Sequence, residues 1–65
     1  MADIPVLLDR IGWTRKRLAE EVGASEKTIQ RWCNLPPSQR ERVMSGVAYS
    51  ATRRYLELVV RILGV

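Results

Sequence analysis

A chain of 65 residues with a formal net charge of +4 allows one small domain, spanning residues 1–65, and favours polyanionic partners, nucleic acid before an anionic membrane. A single cysteine, Cys33, and the lack of histidine exclude an internal disulfide and a cysteine–histidine zinc site. The sequence shows no nucleophile–base pairing, glycine-rich phosphate loop or carboxylate cluster, so we expect no enzyme activity, cofactor, metal or small-molecule ligand.

Helix start and stop signals divide the chain into short segments, and no strand-like alternation is long enough to predict a strand. Asp3 is expected to cap a first helix, which Gly12 ends after apolar residues at helical spacing. Thr14 is expected to cap a second helix, and Gly23 stands where a left-handed residue would stop it.

The second half of the chain continues the helical pattern. Ser25 is expected to cap a third helix that ends near Asn34, because a leucine and two prolines follow. Pro37 is expected to begin a fourth helix over 37–45, and Ser50 is expected to cap a last helix over about 50–63. We therefore predict a compact all-α domain of four to five helices.

The third predicted helix has an apolar side and a polar side. At about 100° per residue, Ile29 and Trp32 fall on the apolar side. Arginine and lysine can donate to guanine, while glutamine and asparagine can pair with adenine, so the polar side suits the edges of bases. The alternative is an ordinary solvated helix face. The polar side consists of Glu26, Lys27, Gln30, Arg31 and Asn34.

Three cations, Arg15, Lys16 and Arg17, stand at the start of the second helix. A helix N-terminus already carries partial positive charge, so each cation is locally unfavourable by about a few tenths of a kcal/mol. A bound phosphate would relieve this conflict and accept from the unpaired backbone N–H groups, so we expect phosphate contact, first from Arg15. Glu20 and Glu21, one turn later, can compensate in part.

The segment from Ile11 to Trp32 resembles the helix-turn-helix of the Cro and phage-repressor family, also called Xre-type. Ala19 matches the small residue where the two helices cross, and Gly23 matches the turn four residues later. Ile29 matches the residue that locks the third helix against the second. The similarity fades beyond this segment, where the family commonly continues with a glycine and a short fourth helix.

The resemblance implies a lambda-repressor-like fold and assigns roles by position. Arg15 stands at a phosphate-contacting position where the family more often has glutamine. For Ser25 the alternative to DNA contact is a simple helix cap, and for Thr28 it is an inward, half-buried position. The expected base-reading residues are Glu26, Lys27, Thr28, Gln30 and Arg31, and the expected phosphate-contacting residues are Arg15, Lys16, Arg17, Ser25 and Asn34.

The last predicted helix has more apolar surface than one core requires. Its apolar residues cover about 200° of the helical wheel, whereas a helix packed on one core needs a stripe of ~100° or somewhat more. The surplus predicts a homodimer, which would suit an inverted-repeat operator with half-sites about one helical turn apart. The alternative is that the first and fourth helices cover the excess. The expected interface residues are Tyr55, Leu56, Val59 and Leu63.

The chain shows no targeting or membrane signal. Its start lacks a basic region ahead of an apolar one, so we expect no signal peptide. The longest apolar stretch, 58–65, contains Arg61 and is far shorter than the roughly 18–20 residues that span a bilayer. We therefore expect a cytoplasmic protein of a bacterial cell or a phage-infected host, without a membrane partner.

Together these features predict a sequence-specific, double-stranded-DNA-binding transcriptional regulator, a homodimeric repressor of a short phage or mobile-element operon. One alternative is an excisionase-like or transposase-accessory module that binds or bends DNA. Another is a protein-interaction module on the same fold, although Lys27 and Arg31 argue against it. Trp13, Trp32 and Cys33 are expected to pack in the core rather than to stack on bases or to act in redox chemistry.

Overall fold

The computed structural model describes residues 3–65, in which helices are joined by short connections and no strand is present. This confirms the predicted all-α fold. No helix of the part described is long and apolar enough to cross a membrane. In chain order the helices are α1 (Ile4–Ile11), α2 (Arg15–Val22), α3 (Glu26–Cys33), α4 (Pro37–Met44) and α5 (Val47–Leu63).

Hydroxyl caps begin α2 and α3, as the sequence predicts. Thr14 Oγ1 accepts a hydrogen bond from the Arg17 backbone N–H at 3.0 Å, and Ser25 Oγ accepts one from the Thr28 N–H at 3.2 Å. Each bond satisfies an N–H that has no partner within its own helix and stabilises the helix start by about 1 kcal/mol. Asp3 occupies the cap position of α1, but its side chain makes no cap hydrogen bond.

Glycines end α1 and α2 at the predicted positions. Gly12 and Gly23 both have a φ of +71°, in the left-handed region that an L side chain rarely adopts. After the second of these turns, the Ala24 N–H donates to the Ala19 carbonyl oxygen at 3.1 Å. This bond closes the end of α2 and directs the chain into α3.

The start of α5 differs from the prediction. Ser50 was expected as its cap, but α5 begins at Val47, immediately after Gly46. Ser50 therefore lies inside the first turn, and its hydroxyl donates to the Met44 carbonyl oxygen at 3.4 Å. The earlier start places Tyr49, only 2% exposed, in the core. Burial of this large side chain outweighs the local cap signal.

The core lies between α1, α2, α3 and α5, with α1 packed along α5 and α2 packed against α3. Each of these four helices contributes one residue with no exposed surface, and this set is Ile4, Leu18, Ile29 and Leu56. The burial of Leu56 in the domain's own core contradicts its predicted place in a dimer interface. Trp13, Trp32 and Cys33 pack against this core as predicted.

α4 is attached to the outside of this core. It contributes no buried residue, although Val43 and Met44 pack partly against the core. Arg40 Nη2 donates to Asp3 Oδ2 at 2.8 Å, which ties α4 to the start of α1. The buried Thr52 satisfies its hydroxyl locally, by donating to the Ala48 carbonyl oxygen at 2.9 Å. Within residues 3–65 no buried side-chain polar atom lacks a hydrogen-bond partner.

Candidate nucleic-acid interface

α3 is oriented by its apolar side. Ile29 has no exposed surface, and Trp32 packs edge-on against Tyr49 with ring centroids 5.7 Å apart. These contacts turn the opposite side of the helix toward solvent. The residues exposed there are the five that the helical wheel selects, Glu26, Lys27, Gln30, Arg31 and Asn34.

The two hydroxyl residues at the start of α3 bond to each other rather than facing solvent freely. Ser25 Oγ and Thr28 Oγ1 lie 2.8 Å apart, in addition to the cap bond from the Thr28 N–H. Thr28 is half-buried. The arrangement favours the cap alternative for Ser25 and the inward alternative for Thr28. Both side chains fix the first turn of α3, next to Lys27.

The three cations at the start of α2 have different surroundings. Arg15 and Lys16 are exposed, and neither has a hydrogen-bond or ion-pair partner among residues 3–65. Arg17 Nε instead donates to Glu21 Oε1 at 3.0 Å, and its guanidinium carbon lies 4.8 Å from the centroid of the Trp13 ring. The side chain of Arg17 is therefore engaged within the protein, whereas Arg15 and Lys16 are available to an anion.

A cluster around Trp13 joins α5 to α2, and the sequence analysis missed it. The Trp13 and Tyr55 rings are tilted by 50° with centroids 6.3 Å apart. The Tyr55 hydroxyl donates to Glu21 Oε2 at 3.4 Å, beside the Arg17 contact with the same carboxylate. Only the four-residue spacing of Arg17 and Glu21 is visible in the sequence. The aromatic pair comes from distant segments and has no local signal.

The net charge of α2 and α3 that remains outside ion pairs is positive. Between Thr14 and Asn34 the chain has five lysines and arginines and three glutamates. The Arg17–Glu21 ion pair compensates one charge of each sign, which leaves four cations and two anions on this surface. The remaining cations are Arg15, Lys16, Lys27 and Arg31. Such a surplus attracts an anionic partner at ordinary ionic strength.

The four residues predicted to form a dimer interface do not form one surface. Leu56 has no exposed surface, Tyr55 and Val59 are half-buried, and Leu63 is 55% exposed. The largest apolar exposure on α5 instead belongs to Val47 and Ile62, neither of which was predicted for the interface. The periodicity of α5 indicated surplus apolar surface, but it did not identify which residues carry it.

The phenol of Tyr49 lies in the core, away from the exposed sides of α2 and α3. Burial raises the pKa of the Tyr49 phenol above its ordinary value of 10.0. A hydrogen bond with the Ile4 backbone lowers this pKa in part, and the negative charge of Asp3 adds to the rise. No group of three or more acidic or cysteine side chains in the described part is placed to hold a metal ion.

Comparison of this chain with protein-family models, with curated proteins and with solved structures finds no match. The similarity to the Cro and phage-repressor family is therefore still a prediction that rests on the sequence motif. The geometry defines a small all-α protein with an exposed polar face on α3 and unpaired cations at the start of α2.

Proposed function

We propose that this protein is a sequence-specific, double-stranded-DNA-binding regulator that places the exposed side of α3 in the major groove. The observation that carries the proposal is a set of outward side chains, Lys27, Gln30 and Arg31, without intramolecular hydrogen-bond partners among residues 3–65. Their helix is anchored by the fully buried Ile29. A rigid helix that presents unpaired donors and amides matches the pattern that base edges offer in the major groove.

The start of α2 is proposed to contact the phosphates of the DNA. Arg15 and Lys16 stand at a helix N-terminus that presents backbone N–H groups and partial positive charge. Contacts from these groups to phosphate would position α3 without reading sequence. Asn34, exposed at the end of α3, would add a contact to the backbone of the DNA. Arg17 and Ser25 support this arrangement through their contacts within the protein.

For biological context, we propose a cytoplasmic repressor of a short phage or mobile-element operon, acting as a homodimer on an inverted repeat. This part of the proposal is supported by the basic charge and the sequence resemblance over 11–32. Two copies of α3 held by one dimer would contact two half-sites on the same side of the duplex.

Selection of DNA fragments from a random pool by the purified protein tests the proposal. We expect a defined motif, and we expect Lys27→Ala and Arg31→Ala to weaken binding to it by about 1–3 kcal/mol and to relax base preference at one or two positions. Arg10→Ala is the matched control, because it removes the same charge from an exposed position on α1. Failure to enrich any motif, or equal effects of all three variants, would overturn base reading by α3.

A further inference from the structure

Arg17 differs from the two cations before it, because its guanidinium group is held on two sides. Its Nε donates to Glu21 Oε1 at 3.0 Å, and its Cζ lies 4.8 Å from the centroid of the Trp13 ring. The side chain is still 54% exposed and belongs to the first turn of α2, next to the N–H groups proposed to contact phosphate. What separates Arg17 from Arg15 and Lys16 is therefore its partners and not its burial.

Glu21, the partner of Arg17, is itself held from α5. Its second oxygen, Oε2, accepts from the Tyr55 hydroxyl at 3.4 Å, and the Tyr55 ring packs against Trp13. An isolated ion pair at the surface contributes little, because both side chains lose freedom and water screens the charges. Here the carboxylate is bonded at both oxygens, and an aromatic ring covers one face of the guanidinium group. A ligand that pulled Arg17 away would have to break both of its contacts.

A phosphate bound to Arg17 in this position would meet a negative charge. The guanidinium N–H groups other than Nε–H make no hydrogen bond within residues 3–65, so they could reach an anion. The Glu21 carboxylate, however, contacts the same group at 3.0 Å, well inside the Debye length of about 10 Å at 0.1 M salt. Its charge offsets that of Arg17 and repels a phosphate placed beside it. Arg17 therefore attracts an anion less than the unpaired Arg15 does.

We propose that Glu21 withholds Arg17 from the DNA backbone and so lowers the affinity of the start of α2 for any duplex. Glu21 is a positioning residue, because it acts on DNA through Arg17. Phosphate contacts supply affinity that does not depend on sequence. One contact fewer weakens binding to a specific motif and to random DNA equally, and leaves discrimination to the exposed side of α3. The inference deepens the proposed function and rests on it.

Glu21→Gln tests the proposal, because it removes the charge and keeps the length and helix preference of the side chain. Released Arg17 should add one phosphate contact, which steepens the slope of log K against log salt by ~0.9 and raises affinity about five- to tenfold at ~0.1 M salt. Glu20→Gln is the matched control: Glu20 is exposed and has no hydrogen-bond or ion-pair partner among residues 3–65. It brings the same change in net charge and should leave the slope unchanged. Titrations of random duplex at several salt concentrations measure both.

A double-mutant cycle shows whether the gain comes from Arg17 itself. In the parent chain, Arg17→Ala should change the slope by less than about 0.3, because no phosphate contact is lost. In the Glu21→Gln background the same substitution should remove ~0.9 from the slope and return the affinity to about that of the parent. Thermal unfolding of each variant sets a temperature at which all of them are folded. Equal effects of Arg17→Ala in the two backgrounds would contradict the proposal.

The NMR signal of the Arg17 Nε–H reports the ion pair directly. We expect this proton to exchange with water more slowly in the parent chain than in Glu21→Gln, because only the parent holds it against a carboxylate. Addition of random duplex to the parent should leave the signal unchanged. Equal exchange in the two chains, or a shift of the parent signal upon DNA binding, would show that Arg17 is not withheld.

The two proposals fail in different ways. A parent chain that binds neither a motif nor random duplex overturns the proposed function, and this inference with it. A parent that binds DNA, with equal slopes for Glu21→Gln and Glu20→Gln, overturns this inference alone. A shallower slope for Glu21→Gln would show that Glu21 orients Arg17 toward phosphate, and would also overturn the withholding role.

Discussion

α3 and α5 are anchored in the same way but present opposite chemistry to solvent. Each has a residue with no exposed surface, Ile29 in α3 and Leu56 in α5. Away from the core, α3 exposes Lys27 and Arg31, whereas α5 exposes Ile62. Polar groups keep their hydration until a polar ligand replaces it, while apolar surface gains free energy whenever it leaves water. The exposed polar side of α3 is the basis on which a polar ligand is proposed for it, whereas the exposed apolar residues of α5 would gain from contact with another apolar surface.

The largest expected effect tests whether Ile29 and Leu56 stabilise the core to a similar extent. Ile29→Ala and Leu56→Ala should each lower the free energy of unfolding by about 2–5 kcal/mol, because each leaves a cavity in the core. Ile62→Ala, on the exposed side of α5, should change it by less than about 0.5 kcal/mol in urea titrations of dilute protein. A Leu56→Ala variant with unchanged stability but impaired dimerisation would restore the interface that the sequence predicted.

A smaller effect separates the two serines that the sequence predicts as helix caps. Ser25→Ala should destabilise the protein by about 1 kcal/mol, because the Thr28 N–H loses its acceptor. Ser50→Ala should cost less than about 0.5 kcal/mol, since Ser50 lies within α5 and makes one long bond to a carbonyl oxygen. Thermal unfolding of both variants measures the difference, and equal losses would contradict the observed start of α5.

A comparison of two exposed arginines tests whether position or net charge governs DNA affinity. Arg15→Ala should weaken binding to the selected motif and to random DNA alike, and should reduce the slope of log K against log salt by ~0.9. Arg54→Ala removes the same charge from an exposed position on α5, and we expect an unchanged slope. Binding titrations at several salt concentrations give both slopes. Equal changes would show that only the total charge matters.

The smallest effect concerns the inner side of α5 and appears at high pH. Because burial raises the pKa of Tyr49, the folded state retains the phenolic proton after the unfolded chain has released it. Its stabilising contribution is thus fully present below about pH 10 and declines as the pH rises through the folded pKa. Urea titrations at about pH 8 and pH 11 should show a steeper loss for the parent than for Tyr49→Phe, and parallel losses would contradict the shift.

The sequence by itself determined the first half of the fold. Thr14, Gly23 and Ser25 act on backbone groups within four residues of themselves, so their roles can be deduced from spacing alone. The apolar and polar sides of α3 can also be deduced from the sequence. Helical geometry places Ile29 and Lys27 on different sides whatever the helix packs against. Four of the five predicted base-reading residues are exposed for this reason, with Thr28 the exception, and their ligand is still a proposal.

The tertiary structure decided the rest. The start of α5 depends on how Tyr49 packs against Trp32, and the Asp3–Arg40 ion pair joins residues 37 positions apart. The placement of Leu56 also required the fold: a helical wheel gives the angles between side chains, but only the neighbouring helices determine which of those angles faces the core.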